Sequence, residues 1–183
     1  MLLETERLVL RPPVERDVAA LDAIYGDPAV TRYIRPRGHD ENVEWIRRAR
    51  RRFDVDGFGQ LVVVRKSDER LIGRAGLLVW DARTWEQALM RDAGAHAEIE
   101  VGWAFARDCW GRGYATEAGS ASRDYAFREL GRSRVVALID AENVSSIAVA
   151  ERLGLAYERD VLRGGVVRVR LYALDSGSVA LRP

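Results

Sequence analysis

The chain has 183 residues, of which 48% are hydrophobic and 31% are charged. A chain of this length can bury one sizeable core, so we expect a single domain over residues 1–183. The 29 Lys and Arg residues nearly cancel the 28 Asp and Glu residues, which leaves no strong field to attract nucleic acid or a membrane surface. The balance favours a small, nearly neutral partner.

The cysteine count and the hydropathy of the sequence indicate where in the cell the protein is located. Cys109 is the only cysteine, which excludes an internal disulfide. The first 13 residues lack the charged-then-apolar layout of a signal peptide. No apolar run approaches the roughly 20 residues that a membrane-spanning helix needs. We therefore expect a cytoplasmic protein with no membrane partner.

The first elements are predicted as one strand and two helices. Residues 7–11 alternate polar and apolar side chains, as a half-buried strand does. Apolar residues then recur at helical spacing over 18–25 and over 43–53, with Asp40 as the expected N-cap of the second helix. Residues 60–65 and 71–80 are β-rich runs separated by a polar turn, which predicts an antiparallel pair.

The rest of the chain alternates strands and helices after a long loop over residues 81–97. Further strands are predicted over 98–105, 135–140, 156–161 and 166–174, and further helices over 114–130 and 145–153. The order βααββ, βα, βα, ββ predicts an α+β (mixed α/β) fold whose sheet has parallel and antiparallel neighbours.

The segment from Glu98 to Ala118 predicts a phosphate-binding turn, because a strand leads through a Gly-x-Gly turn directly into a helix. Gly111 and Gly113 permit backbone conformations in which successive N–H groups converge on an anion. The following helix adds its unpaired N-terminal donors and the positive end of its dipole. Neither the P-loop pattern nor the dinucleotide pattern Gly-x-Gly-x-x-Gly after the first strand is present.

Three motifs resemble one family. Trp110-Gly-Arg-Gly-Tyr-Ala-Thr-Glu-Ala118 resembles the acetyl-CoA pyrophosphate loop of GNAT acetyltransferases, in the form found in the branch similar to the ribosomal-protein acetyltransferases RimJ and RimL. The run Asn143-Val-Ser-Ser-Ile-Ala-Val-Ala-Glu-Arg-Leu-Gly154 resembles the Asn-x-x-Ser-x-x-x-x-Glu-Lys-Leu-Gly helix of the family. The opening Thr5–Arg11 is similar to the first strand of that branch, so the resemblance covers nearly the whole chain.

The resemblance implies an acetyl-CoA-dependent N-acetyltransferase. Its GNAT-like fold would have a central mixed, mostly antiparallel sheet of six or seven strands, flanked by about four helices. Acetyl-CoA would be the co-substrate, with no metal, and the acceptor would be a primary amine of a protein N-terminus or of a small molecule. Dimers are familiar in the family, so a homodimer is compatible with the resemblance. The loops 31–40 and 81–97 would determine the acceptor specificity.

An alternative is a non-catalytic CoA-binding module with the same fold. Many family members place a tyrosine as general acid at the position of Ala150, and this chain lacks it. Acetyl-CoA binding without turnover would distinguish the module from the enzyme.

The resemblance also implies the donor-binding residues. The backbone of Trp103, Ala104 and Phe105 would pair with the pantetheine arm like an added strand. Arg112 either contacts the diphosphate or is a solvated turn residue. The full set of implied cofactor-binding residues beyond the strand is Gly111, Arg112, Gly113, Tyr114, Ala115, Thr116, Asn143 and Ser146.

Two residues are candidates for the chemistry. Glu98 and Glu100 alternate with apolar residues and project from one strand face. Glu100, nearer the segment expected to meet the thioester, is the candidate general base through water, although both carboxylates could simply face solvent. Ser146 matches a serine that in RimL-like proteins donates to the departing thiolate; its alternative is a helix-start role with Asn143. Glu158 is the reserve base.

The other residues considered for a function are better explained without one. The arginine cluster on the second helix could attract RNA, but the solvated face of an amphipathic helix explains it better, so no nucleic-acid partner is expected. His39 and His96 stand alone, which predicts no metal site. Cys109 has no neighbouring base in the sequence, so direct transfer is favoured over a thioacyl intermediate. The cluster comprises Arg47, Arg48, Arg50, Arg51 and Arg52.

Overall fold

The computed structural model describes residues 1–178. Its internal contacts group these residues into two compact units. The first unit contains Met1–Gly76 and Trp103–Ala121, and the second contains Leu77–Gly102 and the chain from Ser122 onward. The expectation of a single domain over residues 1–183 stays a prediction.

The first unit contains five strand segments in the order β1-β2-β3-β4-β6. They are β1 (Leu3–Glu4), β2 (Leu8–Arg11), β3 (Gln60–Arg65), the first part of β4 (Leu71–Asp81) and the end of β6 (Ala97–Phe105). The pairs β1–β2, β2–β3 and β3–β4 are antiparallel. Both the first predicted strand and the predicted antiparallel pair are therefore confirmed.

Three helices cover the sheet of the first unit: α1 (Val18–Tyr25), α2 (Pro28–Thr31) and α3 (His39–Asp56). Apolar side chains from α1, α3, β2, β3 and β4 form one buried cluster, and Leu8, Leu10, Leu21, Leu61 and Ile72 are completely buried in it. The prediction that Asp40 caps α3 is wrong. Gly38 is the N-cap, and its N–H donates to the Glu41 carboxylate at 2.7 Å.

The second unit contains strand segments in the order β4-β6-β7-β9-β8, with β5 paired to β4. The new strands are β5 (Glu86–Gln87), β7 (Arg134–Ile139), β8 (Ala156–Arg163) and β9 (Val167–Asp175). The β6–β7 pair is parallel, whereas β4–β5, β7–β9 and β8–β9 are antiparallel. The helices are α4 (Met90–Ala93), α6 (Val144–Arg152) and the later part of α5 (Tyr114–Arg128). A second cluster is built around Trp80, Trp85, Val136 and Leu171.

The predicted fold class is confirmed, because α-helices accompany a sheet whose strands are mostly antiparallel and include the parallel pair β6–β7. Residues 1–178 contain nine strands and six α-helices, more than expected. The additional elements have two to four residues: β1, β5, α2 and α4. Segments this short show no hydrophobic period, and the loop predicted over 81–97 accordingly contains β5 and α4. No helix in the described residues is both long and apolar enough to cross a membrane.

Gly73 lies where β4 passes close to the end of β6. A Cβ atom added there would clash with the Ala104 carbonyl oxygen and lie 2.9 Å from the Phe105 Cα. Because backbone atoms cannot rotate away, we expect Gly73→Ala to lower the free energy of unfolding by roughly 1–3 kcal/mol. Urea denaturation measures this change. Gly177→Ala, with nothing within 4 Å of the new Cβ, is the control; an equal loss in both variants would contradict the packing explanation.

Candidate functional site

The turn between β6 and α5 has the backbone conformation that the sequence predicts. A short 3-10 turn at Arg107–Cys109 precedes it. Gly111 has φ 71° and Gly113 has φ 81°, both in the left-handed region that favours glycine. Residues 111–113 are exposed, and α5 begins at the next residue, Tyr114. The predicted strand–turn–helix segment is therefore confirmed.

The N–H groups of this turn are not used by the backbone hydrogen bonds of the fold. In the part of the chain that the structure describes, no backbone carbonyl accepts from the N–H groups of residues 111–115. The Glu117 N–H bonds back to the turn, donating to the Gly113 carbonyl at 3.0 Å. Exposed donors at a helix start carry the positive end of the helix dipole. Such donors can bind a phosphate or diphosphate group.

Arg7 and Glu117 fix this turn to the start of β2. The Glu117 carboxylate accepts hydrogen bonds from the Arg7 N–H at 3.0 Å, from Arg7 Nε at 2.7 Å and from the Thr5 hydroxyl at 2.5 Å. Arg7 Nη1 donates to the Arg112 carbonyl at 3.0 Å, and its guanidinium lies 4.6 Å from the Tyr114 ring centre. The turn and the first strand therefore form one hydrogen-bonded network.

The positioning role of Arg7 and Glu117 is not predicted from the sequence. The two residues are 110 positions apart, and no local periodicity connects them. Each does belong to one of the motifs that resemble the family, Arg7 to the opening strand and Glu117 to the turn. That shared membership was the available indication that they act together.

A second group of ion pairs fixes the residues just before the turn. Arg70 binds the Asp108 carboxylate through Nη1 at 2.5 Å and Nη2 at 3.1 Å. Arg65 Nη1 lies 4.0 Å from the Cys109 sulfur. Burial raises the pKa of the Cys109 thiol, and the adjacent Asp108 charge raises it further. A protonated thiol is a poor nucleophile, so the structure gives no support to a thioacyl step at Cys109.

Trp103, Ala104 and Phe105 form the last three positions of β6. The Phe105 carbonyl accepts a hydrogen bond from the Trp110 indole at 2.8 Å, so Trp110 connects the turn to the strand end. The next N–H, of Ala106, donates to Ile72 in β4 at 2.9 Å. Pairing of this strand end with a pantetheine arm stays a prediction.

In the second unit, Glu98 and Glu100 share one face of β6, as their alternation predicts. Ile99 and Val101 between and beside them are buried, whereas both glutamates are partly exposed. The Glu100 carboxylate accepts a hydrogen bond from the Trp80 indole at 2.7 Å. This bond fixes the orientation of one Glu100 oxygen.

The Arg134 guanidinium lies close to three carboxylates, one of which belongs to Glu158, the reserve candidate for the general base. The guanidinium lies 3.3 Å from Glu98, 2.6 Å from Glu158 and 3.6 Å from Asp175. Glu158 also pairs with Arg159 at 2.9 Å. Glu98 and Glu158 therefore each have a cationic partner that explains their presence without catalysis.

The start of α6 is organised by Asn143. Its side-chain oxygen accepts from the Ser146 N–H at 3.1 Å, which is a helix N-cap. Ser146 is partly buried in the first turn of the helix, and Ala150 is completely buried. The helix-start role of Asn143 is thus observed, whereas a bond from the Ser146 hydroxyl to a thiolate stays a prediction.

The other candidates have local partners. His39 Nδ1 lies 2.7 Å from the Asp22 carboxylate, and this hydrogen bond raises the pKa of His39. Arg47 and Arg48 are exposed and each lie 3.9 Å from Glu44. No cluster of three or more His, Cys, Asp or Glu side chains suited to a metal ion occurs within residues 1–178.

Comparison with known proteins yields one consistent family. The acetyltransferase (GNAT) domain family matches residues 7–156. The Bacillus subtilis (strain 168) protein YkkB is 32% identical over 161 residues, which cover 87% of each chain. An acetyltransferase from Agrobacterium tumefaciens str. C58 superposes with a TM-score of 0.78 at 26% identity, over 96% of this chain and 95% of that one. The ribosomal α-N-protein acetyltransferase RimL in complex with coenzyme A superposes with a TM-score of 0.72 over 96% and 98%, but at 16% identity it shows the fold alone.

Glu117 gives the network at the turn a dependence on pH. Burial alone would raise the pKa of this carboxyl, but the hydrogen bonds from Thr5 and Arg7 lower it below its ordinary 4.5. A carboxyl with a lowered folded-state pKa stabilises the fold above its unfolded pKa, and this contribution is lost as pH falls through the folded value. We expect wild type to exceed Glu117→Gln in unfolding free energy at about pH 7, and this difference to shrink below about pH 4.5.

Urea denaturation at several pH values measures this difference. Glu129→Gln changes an exposed carboxylate on the segment after α5 and serves as the control. A difference between wild type and Glu117→Gln that stays constant down to about pH 3 would contradict a role for the ionised carboxylate.

Proposed function

The chain belongs to the GNAT acetyltransferase family and is an acyltransferase, and on this premise we propose that it transfers an acetyl group from acetyl-CoA directly to a primary amine. The observation that carries the proposal is the turn at residues 110–113, where exposed N–H groups precede α5. The acceptor would be the α-amine of a protein N-terminus or a small-molecule amine. The Trp110 form of the motif favours the RimJ/RimL-like branch.

Acetyl-CoA would bind through its diphosphate to the N–H groups of residues 111–115. Gly111 and Gly113 have no side chains that would block a close approach of the phosphate oxygens. Arg112 is exposed in the same turn and can add a charge contact. Arg7 acts as a positioning residue, because its bonds to Glu117 and to the Arg112 carbonyl fix the turn.

The pantetheine arm would continue along the end of β6, at Trp103, Ala104 and Phe105. An extended arm can hydrogen-bond to a strand as another strand does. Tyr114, Ala115 and Thr116, in the first turn of α5, complete the predicted donor site in this unit. Homodimer formation and a cytoplasmic location stay predictions.

Acyl transfer makes three demands on the protein. The amine must lose a proton, the oxyanion of the tetrahedral intermediate must be stabilised, and the thiolate of CoA must be stabilised or protonated as it leaves. We assign the first demand to Glu100, acting through a water molecule, with its carboxylate oriented by the Trp80 indole. We assign the last to the Ser146 hydroxyl, which α6 presents from the turn capped by Asn143.

A non-catalytic CoA-binding role is the second candidate. Ala150 favours it, because a completely buried alanine stands where many family members have a tyrosine acid. Release of free CoA thiol from acetyl-CoA in the presence of a panel of amines separates the two candidates. Binding of acetyl-CoA without any amine-dependent thiol release would favour the module.

Substitution of Gly113 tests the donor site. We expect Gly113→Asp to weaken acetyl-CoA binding by at least about tenfold, because a carboxylate would stand against the diphosphate. Calorimetric titration measures this affinity. Gly57→Asp is the control, since Gly57 also has a positive φ, of 77°, but ends α3. Nothing lies within 4 Å of a Cβ added at Gly57, whereas Arg7 Nη2 lies 3.4 Å from one added at Gly113. Wild-type affinity in folded Gly113→Asp would contradict the donor-site assignment.

Substitution of Glu100 tests the general base. We expect Glu100→Gln to lower kcat by roughly 10²- to 10⁴-fold, while acetyl-CoA affinity changes little. Steady-state kinetics across the pH range, with a calorimetric measurement of affinity, give both quantities. Glu158→Gln is the comparison variant. Unchanged kcat in Glu100→Gln with a large fall in Glu158→Gln would transfer the role to Glu158.

A further inference from the structure

Two arginines beside Tyr25 carry buried hydrogen-bond donors that the described fold does not use. Arg74 in β4 donates from Nε to the hydroxyl of Tyr25, at the end of α1. The Arg37 guanidinium stacks over the same tyrosine, 3.5 Å from its ring centre, and lies 4.8 Å from the Trp45 ring centre. Nε and Nη2 of Arg37 and Nη1 of Arg74 are buried and have no hydrogen-bond partner among residues 1–178.

Two further arginines place positive charge near Arg37. Burial, with smaller contributions from the Arg74 and Arg48 charges, lowers the pKa of Arg37 to about 10, although Tyr25 and Glu41 act in the opposite direction. Both arginines are partly exposed, but the three nitrogens named above are buried. Leaving a charged donor unbonded in the interior costs free energy, and such donors are normally paired with a carboxylate. An anion is therefore the expected partner for these donors.

Glu41 does not supply that anion. One of its carboxylate oxygens accepts from the Gly38 N–H at 2.7 Å, which caps α3. The other lies 3.8 Å from Arg35, whose side chain is 84% exposed. Glu41 is thus bonded at the start of the helix, and the three buried donors of Arg37 and Arg74 have no partner among the described residues.

Arg37 lies next to a helix start, and Arg74 lies on a strand. Arg37 directly precedes Gly38, the N-cap of α3, and its guanidinium is further fixed by the two aromatic rings. Arg74 lies on β4 with its Nε bonded to Tyr25. A planar guanidinium presents paired donors that match the two oxygens of a carboxylate. Arg37 also lies within residues 31–40, one of the two loops predicted to determine acceptor specificity.

We propose that Arg37 and Arg74 bind a carboxylate of the acceptor, so that the substrate class is an amine that also carries a carboxylate group. This inference rests on the proposed transfer of acetyl to an amine. The arginine pair binds and orients the acceptor and takes no part in proton transfer. It makes the chain selective for acids over their neutral amides.

The test uses ω-amino acids from glycine to 6-aminohexanoate, each compared with its own primary amide. Acid and amide have nearly the same size and differ in the charge of the group that the arginines would bind. Two quantities are measured on the full chain. The first is kcat/KM for each acceptor, from the release of CoA thiol. The second is the affinity for each acceptor, by calorimetry with saturating CoA, which carries no acetyl group to transfer. The variants are Arg37→Gln and Arg74→Gln, with Arg35→Gln as the exposed control from the same loop.

We expect wild type to prefer at least one acid over its amide by roughly 10- to 100-fold, the range typical of a hydrogen bond to a charged group. Arg37→Gln and Arg74→Gln should lose this preference, and an unchanged affinity for CoA, measured by calorimetric titration, shows that the variants fold. Arg35→Gln should behave like wild type.

Two results would overturn the inference: no acid preferred over its amide in either readout, or the same loss of preference in Arg35→Gln. Failure of the proposed function gives a different pattern. Acids would then still bind more tightly than amides to wild type, and this difference would be lost in Arg37→Gln, but no amine would be acetylated. Acetyl transfer without acid preference would instead leave the proposed function in place and exclude the carboxylate site.

Discussion

A helix leaves its first N–H groups without intrahelical acceptors, and the functional interpretation of this chain depends on where α5 places those groups. Two glycines with positive φ precede the helix, so the chain turns sharply and leaves the donors of residues 111–115 outside the backbone bonding of the fold. The bonds of Arg7 to Glu117 and to the Arg112 carbonyl keep the turn in this conformation. An anion is the natural ligand for such a group of donors.

The partners of the individual charged side chains say more about their roles than the net charge does. The chain is nearly neutral, and many of its ionic groups bind one another, as Arg134 does with Glu98 and Glu158. The Glu100 carboxylate accepts a hydrogen bond from the Trp80 indole. Three guanidinium nitrogens of Arg37 and Arg74, in contrast, are buried without a hydrogen-bond partner in the described chain. Unpaired buried donors of this kind are the groups that we propose for substrate binding.

The sequence predicted what depends on local pattern and family motifs. The seven long strands and four long helices follow hydrophobic periodicity, and the Gly-x-Gly turn follows from the conformational freedom of two residues. The N-cap of α3 was misplaced by two positions, because glycine can cap a helix when a nearby carboxylate, here of Glu41, binds its N–H. The Arg7–Glu117 network and the Arg37–Arg74 pair join residues distant in sequence, so only the folded chain reveals them. The roles of Glu100 and Ser146 stay predictions.

A crystal structure with bound CoA would show directly where the diphosphate binds. We expect diphosphate oxygens about 3 Å from the N–H nitrogens of residues 111–115, with the contact between Arg7 and Glu117 retained. A diphosphate bound elsewhere on the chain, with these N–H groups directed away from it, would show that the turn is not the donor site.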